Sequence, residues 1–108
     1  DTVNVFLRAA VAPGIDGKTI QLGTGRTESI GEIFTTACRV CGIDATVNEE
    51  PHRLRPGRSE VMVLQSDPSL AKSVLGWEPE VSLEEGLRRT ATWIGDNIQR
   101  FSPDVYAI

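Results

Sequence analysis

Apolar residues recur at helical spacing in four stretches of the chain. Val3, Phe6, Leu7 and Ala10 put one apolar face on a helix over residues 1–12, and Pro13-Gly14 ends it. Ser29-Ile-Gly-Glu32 has the form of a capping box, in which the hydroxyl takes one orphan N–H and the carboxylate reaches back. It opens a helix whose single face carries Ile30, Ile33, Phe34, Ala37, Cys38 and Cys41, with Gly42 as the stop. Asp67-Pro68 starts a third helix, with Leu70, Ala71, Val74 and Leu75 inward and Gly76 closing it. Ser82-Leu-Glu-Glu85 is a second capping box, opening a long helix with Leu83, Leu87, Ala91, Ile94 and Ile98 on one side. Glu84–Arg88 and Glu85–Arg89 form i,i+4 pairs on its other side.

Between these helices the pattern changes. Lys18-Thr-Ile-Gln-Leu22 alternates and predicts a short strand, and Ala45-Thr-Val-Asn48 predicts a second. Val61-Met-Val-Leu64 reads as a further extended stretch, and residues 101–108 as an irregular tail. The expected fold class is therefore α/β in a single domain over 1–108, with a small mixed or parallel sheet of two to three short strands and about four helices. So small a sheet has open edges, which invite a larger sheet or another copy of the chain.

Composition narrows the function classes. Of the 108 residues 40% are hydrophobic and 24% charged, which is ordinary for a soluble domain. No apolar run approaches the ~18–20 residues that span a bilayer. Without a signal segment, the cytoplasm is the expected compartment. A net charge of −4 argues against nucleic acid, whose phosphates need a positive field. The chain opens on Asp1 and passes almost at once into helix. It reads as a piece of something longer, and a separately encoded short protein would look the same.

Few residues form a chemical constellation. Cys38-Arg-Val-Cys41 has redox or zinc spacing, but both thiols sit near a helix C-terminus, where the dipole disfavours thiolate. Zinc would need more ligands than the lone histidine, His52, supplies, so core packing is the expected role. Gly23-Thr-Gly25-Arg26 lies where phosphates often bind, yet Glu28 breaks the dinucleotide fingerprint and turn geometry explains the glycines. Glu49, Glu50 and His52 match no metal spacing. Trp77 and Trp93 read as core or interface anchors. Arg53-Leu-Arg55-Pro-Gly-Arg58-Ser-Glu60 is the strongest signal: three guanidiniums this close call for an anion, and Arg forks match phosphate oxygens. Glu60 beside them can accept sugar hydroxyls. The alternative is a solvated basic loop paired with Glu49, Glu50 and Glu60.

The motifs occur in a recognisable order. They are Leu22-Gly-Thr-Gly-Arg26 with Ser29-Ile30, Arg53-Leu-Arg-Pro-Gly-Arg-Ser-Glu-Val61, Ser66-Asp-Pro-Ser-Leu-Ala-Lys72, Leu75-Gly-Trp-Glu-Pro79 and Val81-Ser-Leu-Glu-Glu-Gly-Leu-Arg-Arg-Thr90. Together they resemble the C-terminal, substrate-binding part of extended short-chain dehydrogenase/reductases of the NAD-dependent epimerase/dehydratase family. The arginine loop and the Ser102-Pro-Asp-Val-Tyr106 ending look closest to 4,6-dehydratases of UDP-N-acetylglucosamine, with GDP-mannose and dTDP-glucose 4,6-dehydratases close to them.

The resemblance implies the C-terminal subdomain of an extended short-chain dehydrogenase/reductase without its Rossmann domain. It also implies that Arg55 contacts the nucleotide diphosphate and Glu60 a hydroxyl, with Arg53 and Arg58 as further candidates. NAD belongs to the intact parent enzyme, and no cofactor is expected in this chain. The catalytic Tyr-x-x-x-Lys pair cannot form, because Tyr106, the only tyrosine, is two residues from the end. The chain is thus expected to clamp a nucleotide sugar without catalysing its conversion. Its expected protein partner is a second copy or the parent's Rossmann domain, either of which would cover helix faces left apolar. A non-enzymatic module that self-associates is the alternative reading. A stand-alone enzyme lacks an acid/base or nucleophile set.

Overall fold

A computed structural model describes residues 1–48 and 61–101. It contains helices α1 (Thr2–Val11), α2 (Ile30–Cys41), α3 (Ser69–Leu75) and α4 (Leu83–Asp96), with a 3-10 turn at Ile98–Arg100. They fall into two compact units, the described parts of Asp1–Ser29 with Thr46–Val81 and of Ile30–Ala45 with Ser82–Ile108. No helix among the described residues is long and apolar enough to cross a membrane.

The expected α/β sheet is not there: among the described residues there is no strand. Residues 18–22, 45–48 and 61–64 alternate or are β-branched as strands are, but a strand also needs a backbone ladder to a neighbour. Where segment 18–26 meets segment 65–67, side chains bond to main chain in place of that ladder. Gln65 Nε2 donates to the Gly25 carbonyl at 2.6 Å, and Asp67 N–H donates to Gln21 Oε1 at 3.2 Å. Period-two patterning thus did not correspond to a sheet among the described residues.

In the first unit, α1 packs against α3 by a face other than the expected one. Val3, Phe6 and Leu7 are 72%, 68% and 67% exposed, whereas Val5 is buried with Ala71 and Trp77. Ile20 and Leu75 pack around this small core. The polar residues that flank Val5 explain the choice. One turn earlier, the Asp1 carboxylate accepts from the backbone N–H groups of Glu80 and Val81 at 3.3 and 3.2 Å. One turn later, Arg8 Nη1 donates to the carbonyls of Leu75 and Gly76 at 3.3 and 2.8 Å, and Arg8 Nε donates to Asn4 Oδ1. Asp1, Val5 and Arg8 share one stripe of the helix. The cation satisfies the open carbonyls at the α3 C-terminus, where the helix dipole is negative.

Helix α3 begins and ends as its sequence requires. Asp67 Oδ1 accepts from both the N–H and the hydroxyl of Ser69. These bonds hold the Asp67 carboxyl below the usual carboxylate range, the hydroxyl contributing most. Gly76 closes the helix with φ of 57°, a left-handed conformation that side chains disfavour.

In the second unit, α2 packs on α4. Ile33, Phe34, Ala37 and Cys38 are half-buried as the spacing implies, while Ile30 and Cys41 at the two ends are exposed. Core packing is therefore not the environment of Cys41. The Ser82 hydroxyl caps α4 by accepting from Glu85 N–H at 3.2 Å. Only one of the expected pairs forms as written: Glu85 holds Arg89 at 2.6 Å, and it holds Arg88 as well. Glu84 instead takes Arg39 of α2 in a two-pronged ion pair, at 2.6 and 3.0 Å. The planar Arg39 fork matches both carboxylate oxygens of Glu84, while the Arg88 guanidinium is taken up by Glu85. Trp93 is exposed, which removes the core half of its core-or-interface reading, and it meets Phe101 edge to face at 6.0 Å between ring centres.

The Arg39 hydrogen bonds, and then its charge, pull the Glu84 carboxyl below its ordinary value of 4.5. A carboxyl depressed in the folded state stabilises it fully above the unfolded-state value and loses that contribution as pH falls through the folded one. Acidification is expected to weaken the α2–α4 pair before helix content is lost. Thermal unfolding followed from pH 7 to pH 3 checks this. Glu84→Gln should lower stability at neutral pH and shallow the acid slope; equal slopes for the two proteins would refute the assignment.

Candidate functional site

The residues expected to grip a diphosphate, Arg53, Arg55, Arg58 and Glu60, lie outside the described residues, as do Glu49, Glu50 and His52. The structure does describe the chain that leaves the arginine segment. Val61, Met62, Val63 and Leu64 are 69%, 85%, 69% and 86% exposed, so side-chain packing does not hold this stem in place. The first fixed point after it is the join at 65–67.

That join has a regular register. Gln21 pairs with Asp67, Gly23 abuts Ser66, and Gly25 pairs with Gln65. Every second residue of the turn meets successive residues of the stem, and the two segments run in opposite directions. Gly23 is indispensable to the approach: a Cβ built there would stand 1.8 Å from Ser66 Oγ, and its φ is 155°. The turn reading of Gly23-Thr24-Gly25-Arg26 therefore holds. Arg26 N–H donates to Thr24 Oγ1 at 3.2 Å and tightens the turn. The same contact decides how the glycines fit a dinucleotide. In a phosphate cradle the space a Cβ would fill belongs to the ligand, and here Ser66 takes it. With Glu28 at the third position of the motif, this turn does not fit a dinucleotide pyrophosphate.

Two open pockets of the first unit border this join. The smaller, about 310 Å³, is lined by Gly25, Gln65, Ser66, Asp67 and Pro68. The larger, about 590 Å³, lies between Thr24, one side of α3 and the turn Gly76–Glu80. Lys72 in its wall is neutralised by Glu78 at 2.8 Å. The buried Trp77 anchors the turn from beneath, as its core-or-interface reading expects. The larger pocket thus offers hydroxyls and paired charge to a ligand. Among the described residues there is no cluster of His, Cys, Asp and Glu that could hold a metal, and Cys38 and Cys41 are free thiols.

The sequence reading passed over Gln21 and Gln65. Each is a lone amide in an apolar extended run, Ile20-Gln-Leu22 and Val61-Met-Val-Leu-Gln65. That placement was the available signal. Asp1 and Arg8 carried none, because charged residues on a short helix ordinarily face solvent.

Comparison with known proteins supplies a family context for these residues. The chain is 40% identical to a UDP-glucuronate 4-epimerase of Thermodesulfobacterium geofontis over 81 residues, which is 74% of this chain and 24% of that protein. It is 30% identical to a UDP-glucose 4-epimerase of Mycolicibacterium smegmatis over 99 residues, 92% of this chain and 30% of that protein. It is also 36% identical to a GDP-mannose 4,6-dehydratase of Yersinia enterocolitica over 88 residues, 78% of this chain and 23% of that protein. The chain thus spans less than a third of the length of each of these relatives. No family model and no solved structure matches it. Its relatives are sugar-nucleotide epimerases and dehydratases, which supports the NAD-dependent epimerase/dehydratase family.

The register makes Gly23 the residue least tolerant of a side chain. Gly23→Ala is expected to cost ~1–3 kcal/mol, the range for overpacking a fitted contact. Gly95→Ala, in α4 with nothing within 4 Å of the added Cβ, should be neutral or stabilising by up to ~1 kcal/mol. Urea unfolding midpoints compare the two; equal midpoints would mean that the turn and stem do not meet.

Proposed function

We propose that this relative of sugar-nucleotide epimerases and dehydratases is the nucleotide-sugar-binding portion of a cytoplasmic NAD-dependent 4,6-dehydratase or epimerase. In this reading Arg55 grips the diphosphate, Arg53 and Arg58 add positive charge, and Glu60 accepts hydroxyls of the ribose or sugar. NAD and the acid/base residues belong to a Rossmann portion outside this chain, so the chain by itself binds without turning substrate over. The observation that carries the reading is the arginine segment itself. Three guanidiniums fall within six residues of a chain with net charge −4, and they immediately precede a stem pinned to the Gly23–Gly25 turn. Similarity to UDP-sugar and GDP-sugar enzymes supports a nucleoside diphosphate as the ligand. The Arg-Pro loop favours a 4,6-dehydratase within that group.

Calorimetry on the full-length protein with UDP, GDP and dTDP tests the reading. Binding should weaken as salt rises, and Arg55→Ala should lose about tenfold or more in affinity, the scale of a charge-assisted bond. Indifference to all three nucleotides, or an Arg55→Ala protein that binds as well as the unsubstituted one, would overturn it.

A second reading, self-association, is favoured by the apolar side of α1. Val3, Phe6, Leu7 and Val11 are exposed together along one helix. Burying that stripe in a two-fold dimer removes it from water. Sedimentation of this chain should then show a dimer that Phe6→Asp dissociates, and a monomer at all concentrations would exclude it.

A further inference from the structure

We propose that Cys38 and Cys41 form a reversible disulfide across the last turn of α2, and that closing it loosens the grip of Arg39 on Glu84. This redox site stands apart from the arginine segment and from any nucleotide.

The place of the two thiols on the helix carries the first half. Both are free, Cys38 half-buried and Cys41 exposed, three residues apart at the end of α2. On a helix that spacing sets Cβ atoms about 5–6 Å apart. A disulfide needs about 3.5–4.5 Å, so the turn must draw in by about 1–2 Å. A turn in mid-helix is held on both sides, whereas this one is terminal. Gly42 follows it in the left-handed conformation, with φ of 65°, and nothing lies within 4 Å of where its Cβ would stand. The dipole at this helix end disfavours a thiolate, which argues against bound zinc or a standing nucleophile. A disulfide carries no charge, so the dipole does not oppose it.

Arg39 carries the second half. It lies between the cysteines in sequence, and its side chain reaches α4 in the two-pronged pair with Glu84, at 2.6 and 3.0 Å. The carbonyls of Cys38 and Arg39 also accept the bonds that close α2, from Ile43 N–H at 3.1 Å and Gly42 N–H at 3.3 Å. Drawing Cys41 toward Cys38 therefore moves the backbone from which the Arg39 fork extends. A two-pronged pair depends on both oxygens being met at once, so a small displacement costs it half its bonds. The coupling is reciprocal: a disulfide that weakens the ion pair is itself opposed by the ion pair.

A small-molecule disulfide such as oxidised glutathione supplies the oxidant. The more exposed Cys41, as thiolate, attacks one glutathione sulfur and expels the other half as thiolate. Cys38 then attacks the Cys41 sulfur of the mixed disulfide and expels the second glutathione. Two electrons pass from the protein to the oxidant, and the two thiol protons end on the released glutathione.

The experiment equilibrates the full-length protein over a series of ratios of reduced to oxidised glutathione, quenches with acid and maps tryptic peptides by mass spectrometry. Cleavage after Arg39 parts the cysteines, so the disulfide is read as residues 27–39 joined to residues 40–53. The unsubstituted protein should yield the joined peptides at oxidising ratios and lose them at reducing ones, and Cys41→Ser should never yield them. Glu84→Gln should move the midpoint about two- to fivefold toward the reducing side, the scale of an exposed ion pair. Glu85→Gln removes the pairs with Arg88 and Arg89 inside α4 and spares Arg39, so it should titrate like the unsubstituted protein. That comparison separates loss of this one pair from a general loosening of the fold. Absence of joined peptides at every ratio would overturn the proposal. Equal midpoints for Glu84→Gln and the unsubstituted protein, or an equal shift in Glu85→Gln, would overturn it as well.

Discussion

The first unit depends on bonds between side chains and main chain, in the places where a sheet or a larger core would otherwise hold it. Among the described residues its buried apolar core is Val5, Ala71 and Trp77. Around that core, Asp1 holds the backbone at Glu80 and Val81, Arg8 closes the end of α3, and Gln21 and Gln65 tie the glycine turn to the stem. Such bonds are individually worth about 1 kcal/mol net, but they are directional. They set registers and angles where apolar contact would tolerate sliding. The glycine turn and residues 65–67 take their position from a few named polar atoms.

This arrangement bears on how the unit divides its labour. The glycine turn superficially invites a phosphate, yet the space at Gly23 is filled by Ser66, so the turn serves as an anchorage. The densest run of arginines in the sequence, Arg53, Arg55 and Arg58, lies outside this turn. The described carboxyls whose protonation is shifted, Asp67, Glu84 and Glu85, are all held toward the charged form by donors beside them. Each of the three belongs to an ion pair or a helix-start contact.

The helices were legible in the sequence because their signals are local. Capping at Ser82, the start at Asp67 and the stop at Gly76 depend on neighbours a turn away, and each appears where its motif stands. Faces were less legible. The α1 stripe of Val3, Phe6 and Leu7 is the more apolar one, yet Asp1 and Arg8 find backbone partners nearly 70 or more residues along the chain and turn Val5 inward. Glu84 pairs with Arg39 in place of Arg88 for the same reason, a partner that local spacing does not display. The strands failed because alternation of side chains says nothing of a ladder partner. Of the site, the arginine cluster is visible in the sequence as an expectation that lies outside the described residues, whereas the amides at Gln21 and Gln65 acquire meaning only once the turn and stem are brought together.

Hydrogen–deuterium exchange on the full-length protein, with and without a saturating nucleoside diphosphate, tests the central claim most directly. If the arginine segment receives the ligand and hangs from the glycine turn, protection should rise together over residues 53–67 and 21–26, and little in α2 and α4. Protection that falls elsewhere, or a turn that exchanges at the same rate whether or not ligand is bound, would contradict the account.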